Sequence, residues 1–146
     1  MDGTRKSLPR DSGVGDRLCR SLIENSFDVF KIIDRDGVIR FASPSVKRVM
    51  GYTPGELEGT SAFDWIHPDD VDRARGALAE VIEQGELSEY IELRDRHRDG
   101  TYRIIELAAR SLLDDPAVGG VVLNYRDVTE RKEWEQALRQ SEDRYH

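Results

Sequence analysis

Two rhythms of hydrophobic and polar residues run along the chain, one near a period of two and one near three to four. Asp28-Val-Phe-Lys-Ile-Ile-Asp34 and Val38-Ile-Arg-Phe-Ala42 flank Arg35-Asp36-Gly37, which predicts two short strands joined by a tight turn. In the first of them both alternating sets, Phe30/Ile32 and Val29/Ile33, are apolar, as expected of a strand covered on both faces in the middle of a sheet. Three more strands are predicted at Ser88–Arg96, Thr101–Leu113 and Val118–Val128, the first two joined by Asp99-Gly100. Ile91 and Leu93 alternate there with Tyr90, Glu92 and Arg94, and Ile105, Leu107 and Ala109 alternate with Ile104, Glu106 and Ala108. The expectation is a five-stranded antiparallel sheet with one well-buried face.

The helical rhythm fills the intervals. From Asp16 to Ser26, Leu18, Leu22 and Ile23 fall on one helical face behind a candidate N-cap at Asp16. Ser43-Pro44-Ser45 opens a short helix through Val46, Val49 and Met50, which Gly51 can end. Thr53–Gly59 and Ser61–Ile66 read as one-turn helices whose Leu57, Phe63, Trp65 and Ile66 turn inward. His67-Pro68-Asp69-Asp70 begins a longer helix with the stripe Val71, Ala74, Leu78, Val81 and Ile82, ending at Gly85. Last comes a charged helix, Glu130–Tyr145, whose Trp134, Leu138 and Tyr145, with Ser141 between, form a short heptad seam.

The fold class is therefore α+β: a five-stranded antiparallel sheet with small helices and one longer helix on one face, flanked by N-terminal and C-terminal amphipathic helices. Residues 1–15 read as a polar leader, 16–26 as the flanking helix, 27–128 as the core and 129–146 as a C-terminal signalling helix. The balance of 22 basic and 29 acidic residues, net -7, opposes close approach to phosphate backbones, so nucleic acid is not an expected partner. No apolar run reaches the roughly 20 residues that span a bilayer, and the N-terminus lacks the apolar stretch of a secretory signal. The single cysteine, Cys19, sits beside Leu18, Leu22 and Ile23 and reads as a packing residue, so a cytoplasmic setting is expected.

Chemistry-bearing motifs are sparse. No phosphate-binding Gly-rich loop, nucleophile elbow or His-Glu-x-x-His pattern occurs. His67 reads as a helix-entry residue, His97 lies in a charged turn and His146 ends the chain, with no second ligand at a metal-binding spacing. Asp69 and Asp70 suggest a paired-carboxylate acid/base site, but a place in the first helical turn, facing the positive end of the helix dipole, accounts for both. Phe30, Phe41, Met50, Phe63, Trp65, Leu93, Ile105, Leu107 and Tyr125 are candidates to line a pocket for a small apolar or amphipathic ligand; the competing reading is that they fill the core.

The order of elements and five local stretches resemble the PAS domain, the sensory box of bacterial signal-transduction proteins. The stretches are Phe30–Asp34 with Asp36-Gly37, Met50–Gly59, His67–Asp70, Arg98–Tyr102 and Asp127–Lys132, and the resemblance as a whole covers roughly residues 22–132. The resemblance implies a module that dimerises and relays a signal through its C-terminal helix to an output domain such as a histidine kinase or a diguanylate cyclase, without being an enzyme itself. The alternative is a ligand-free protein–protein interaction module. By the same resemblance Asp127, Thr129 and Glu130 are expected to carry the signal transfer, with Asp127 as N-cap and Glu130 at N3 of a capping box. Leu18, Leu22, Ile23, Trp134, Leu138 and Tyr145 supply the dimer seam. The cofactor stays open: light-sensing relatives use a Gly-x-Asn-Cys motif, and Phe63-Asp64-Trp65-Ile66 has no cysteine nearby, which excludes flavin-thiol photochemistry. Haem is not expected, because His67 stands before the long helix rather than along it.

Overall fold

Asp34 organises the first turn: its Oδ1 accepts from the backbone N–H groups of Asp36 at 2.9 Å and Val38 at 3.0 Å, and its Oδ2 from Arg40 at 3.1 Å. Gly37 then adopts φ +88°, and a Cβ there would come within 2.5 Å of the Phe63 ring. This turn joins β1 (Asp28–Ile33) to β2 (Ile39–Ala42). The structure is a computed structural model describing residues 28–144, so the flanking helix expected at 16–26, with Leu18, Leu22 and Ile23, and the seam residue Tyr145 lie outside the described residues.

Helix α1 (Val46–Met50) stops at Gly51, whose φ is 87°. Helix α2 (Pro54–Leu57) begins with a capping box, Thr53 Oγ1 accepting from Glu56 N and Glu56 Oε1 from Thr53 N. A 3-10 turn, Ala62–Trp65, and a second, Pro68–Asp70, lead into α3 (Val71–Gln84), which ends at Gly85 with φ 95°. Three long-range strands follow, β3 (Ile91–Arg96), β4 (Tyr102–Leu112) and β5 (Gly120–Asp127), and the chain leaves through α4 (Thr129–Arg144). The five strands are ordered β2-β1-β5-β4-β3, with every neighbouring pair antiparallel.

The alternation of the strands decides what faces the helices. Val29 and Ile33 on β1, Leu93 on β3, Ile105 and Leu107 on β4, and Val121, Leu123 and Tyr125 on β5 cluster with Val46, Met50, Leu57, Ala74 and Val81 from the helical layer. Burying each large apolar side chain of this kind contributes about 1.5–3 kcal/mol, so this face carries most of the stability. Phe30 and Phe41 do not belong to it. Phe30 alternates out of the core onto the opposite face of the sheet, in a groove shared with Tyr90, Ala108 and Val122, and Phe41 on the edge strand β2 is 40% exposed. Their expected place in a pocket is corrected accordingly: β1 is apolar on both faces, and the inner one is that of Val29 and Ile33.

Candidate functional site

Between α3 and the sheet lies an apolar chamber of about 50 Å³, lined by Ile33, Leu93, Leu107 and Leu123 from the sheet, Phe63 from the 3-10 turn, and α3. Ala74 and Ala77 make the room, since α3 places small side chains there beside the bulkier Leu78 and Val81. The space suits about four waters' worth of ligand, far below the roughly 300–1,000 Å³ of a drug-sized site. Of the pocket residues expected from sequence, Phe63, Leu93 and Leu107 meet at this wall. Met50, Ile105 and Tyr125 are buried in the core without lining it. Trp65 stands to one side, half-buried, its ring tilted at 58° against that of Tyr52 with centroids 4.7 Å apart, and it donates from Nε1 to Thr60 Oγ1 at 3.0 Å.

Three polar side chains stand next to this wall; Tyr125 is one of the residues expected from sequence, whereas Lys31 and Asp95 are not. Lys31, Asp95 and Tyr125 are only 5%, 4% and 2% exposed. Lys31 Nζ stands 5.1 Å from the Tyr125 ring centroid. Burial lowers the Lys31 pKa, and the Asp95 charge only partly offsets this. Burial likewise raises Asp95, and burial together with Asp95 drives Tyr125 well up. Asp95 acts on Tyr125 Oη as a near acceptor, but the pair does not reach good hydrogen-bond geometry. Among the described residues Oη is the buried side-chain polar atom left without a partner. The sequence signal for this group is faint: a lone lysine inside an apolar strand and an aspartate at an inward register position.

The second part of the site is the junction of sheet and exit helix. Asp127 Oδ1 accepts from Thr129 N at 2.9 Å, and Oδ2 accepts from Arg103 Nε at 2.7 Å. Thr129 Oγ1 accepts from the backbone N–H of Ile104 at 2.8 Å, while Val128 N donates to Ile104 O at 2.8 Å, so β4 is gripped by both residues that enter α4. Burial works against the Asp127 carboxylate, yet its hydrogen bonds from Thr129 and Arg103 outweigh that and hold its pKa below the usual range. The expected capping box is corrected in one respect. Asp127 caps two residues ahead, at Thr129 N, and α4 begins at Thr129, so Glu130 sits exposed in the first turn rather than three positions inside an Asp127 cap.

Farther along the first turn, Arg131 Nη2 reaches Glu106 at 3.4 Å and Lys132 Nζ reaches Glu92 at 2.7 Å. Beyond this contact the helix turns two large apolar side chains to solvent, Trp134 at 73% and Leu138 at 62% exposure.

The remaining candidates have structural partners. His67 Nδ1 accepts from Asp69 N at 3.1 Å, and His97 Nδ1 accepts from Asp99 N at 3.0 Å. Asp70 is not explained by the helix dipole alone. It is buried and receives three bonds from Arg94 of β3, from the backbone N at 2.8 Å, Nε at 3.0 Å and Nη2 at 2.9 Å, which hold its pKa at about 2. Among the described residues no group of three His, Cys, Asp or Glu side chains is placed to hold a metal ion, and no helix is long and apolar enough to cross a membrane.

Against this geometry, a family model described as PAS fold matches residues 39–118, more than half of the chain. The White collar 2 protein of Neurospora crassa is 36% identical over 85 residues, 58% of this chain and 16% of that protein. The aryl hydrocarbon receptor nuclear translocator homolog of Drosophila melanogaster is 28% identical over 79 residues, 54% of this chain and 12% of that protein. The chain thus spans a small part of the curated relatives it matches. Among solved structures, the PAS domain of a Colwellia psychrerythraea protein superposes with a TM-score of 0.67 at 21% identity, covering 80% of this chain and 98% of that one. A domain of the sensory box sensor histidine kinase/response regulator from Geobacter sulfurreducens gives 0.62 at 25% identity, covering 77% and 94%.

Proposed function

Since this chain belongs to the PAS-fold family, we propose that it is a dimerising sensory module which passes changes in its core through Asp127 and Thr129 into α4, and from there to an attached output domain. A histidine kinase is the first candidate output, because a similar domain comes from a sensory box sensor histidine kinase/response regulator; a diguanylate cyclase is the second. The module itself is read as non-catalytic and cytoplasmic. In this reading residues 1–15 are a leader, 16–26 a flanking helix, 27–128 the sensing core and 129–146 the signalling helix.

One observation carries the proposal: Asp127 and Thr129 tie the first residues of the exit helix to Arg103 and Ile104 of a core strand. Any sliding of β4 against β5 changes the donors that start α4, and the helix responds by shifting or fraying at its first turn. Trp134 and Leu138, four residues apart on the exposed side, suit a partner helix of a second copy, which buries both. A ligand-free interaction module is the second reading, favoured by a chamber of only about 50 Å³.

Sedimentation of the chain over a range of concentrations tests the assembly. A dimer that becomes a monomer on Trp134→Ser with Leu138→Ser supports the α4 seam, and a dimer indifferent to both substitutions places the interface elsewhere.

A further inference from the structure

The strand registers place the buried polar side chains in a definite relation to the chamber. Lys31 pairs with Leu123, Tyr125 with Leu107, and Leu93 with Ile105. The chamber wall therefore runs diagonally across the sheet, from Ile33 on β1 through Leu123 on β5 and Leu107 on β4 to Leu93 on β3. One inward position farther along each strand, about 7 Å and in the same direction on all of them, the next diagonal reads Lys31, Tyr125, Ile105, Asp95. An apolar wall is thus edged by an ammonium, a phenol and a carboxyl group, all nearly inaccessible to solvent.

Such groups are costly to bury unless their hydrogen bonds are met. Here no hydrogen bond joins Lys31 Nζ to Asp95, Tyr125 Oη is left without a partner, and the ammonium's interaction with the ring is a cation–π contact. Tyr125 Oη is thus a buried polar atom with capacity in hand, and the ammonium and the carboxyl lie on the same diagonal. Lys31 and Asp95 already oppose each other in charge, so a further ionic group would have to be buried without its own counter-charge.

We propose that the chamber and this polar diagonal form one binding site. Its ligand is a small uncharged molecule with a short apolar body for the chamber and a head group that both accepts and donates hydrogen bonds, as a carboxamide or an alcohol does. The head accepts from Lys31 Nζ and Tyr125 Oη and donates to Asp95. The flexible stem of Lys31 brings the ammonium to the chamber's edge. This inference rests on the sensory reading above and adds the ligand's chemical class.

Methyl-labelled chain, with Ile, Leu and Val reporting, is titrated with propionamide and, separately, equilibrated with xenon. The expected result is saturable propionamide shifts at Leu93, Leu107 and Leu123, with affinity falling about five- to tenfold in Lys31→Met and in Tyr125→Phe while the xenon shifts persist. Asp95→Asn replaces either variant whose methyl spectrum shows that it has not folded, and it carries the same expectation. Xenon shifts without propionamide binding, or propionamide binding equal in wild type and variants, overturn the polar head while leaving the chamber as a site. Failure of both probes overturns the chamber as a binding site and with it the ligand-sensing part of the proposed function.

Discussion

Lys132 Nζ, in the first turn of α4, lies 2.7 Å from Glu92 Oε2 on β3. Glu92 stands directly opposite Glu106 of β4 in the sheet register, a like-charged pair that destabilises a sheet on its own. Arg131 meets Glu106 at 3.4 Å, so two adjacent cations of the exit helix neutralise two adjacent carboxylates of the core. The contact is partly solvated and each pair is individually weak, which suits a latch that a modest signal can release.

Releasing that latch is expected to loosen the first turn of α4 without unfolding the core. In Arg131→Ala/Lys132→Ala, amide hydrogen exchange at Glu130–Glu133 should rise several-fold, and about 0.5 M salt should produce much of the same change in the wild type by screening. Exchange in this turn that ignores both treatments removes the latch from the account.

Thr129→Val keeps the shape of the side chain but leaves the Ile104 N–H, now bonded at 2.8 Å, without an acceptor. The expected loss is about 1–2 kcal/mol in urea unfolding, with Thr129→Ser restoring most of it. Equal stability of the valine and serine variants would show that this hydrogen bond does not matter.

Asp70 makes the protein sensitive to acid. Hydrogen bonds and charge from Arg94 lower its pKa from the ordinary 3.8 to about 2 in the folded state. A depressed folded value means that the stabilisation is complete above the unfolded pKa and is lost as the pH falls through 4 toward 2. Its size is about 2 kcal/mol. Asp70→Asn should lose that amount at pH 7 and show a flatter decline between pH 4 and 2, measured by urea unfolding at each pH. Parallel wild-type and variant curves would refute the assignment.

What the sequence reveals here is mostly local. Asp36-Gly37 and Asp99-Gly100 announce turns, Gly51 and Gly85 end helices with positive φ, and the strand and helix periods yield the element order, because each depends on neighbours in the chain. Long-range choices are less legible. β1 is apolar on both sides, and its one basic residue, Lys31, belongs to a type that ordinarily points to solvent; instead it goes inward, where Phe30 was expected. Asp70 finds Arg94 across 24 positions, a pairing that no local pattern encodes. Asp127 was recognisable as a capping residue, but its second partner, Arg103, comes from another strand and appears only once β4 and β5 pair.

The central claim is that the core and the exit helix are coupled through Asp127. Filling the chamber with Ala77→Met mimics an occupant, and hydrogen exchange of the Thr129–Lys132 amides reads the far end. The account predicts a several-fold change in that exchange in Ala77→Met, and no further change when Ala77→Met is added to Asp127→Ala. Exchange that is unaffected by Ala77→Met, or affected equally whether or not Asp127 is present, would contradict it.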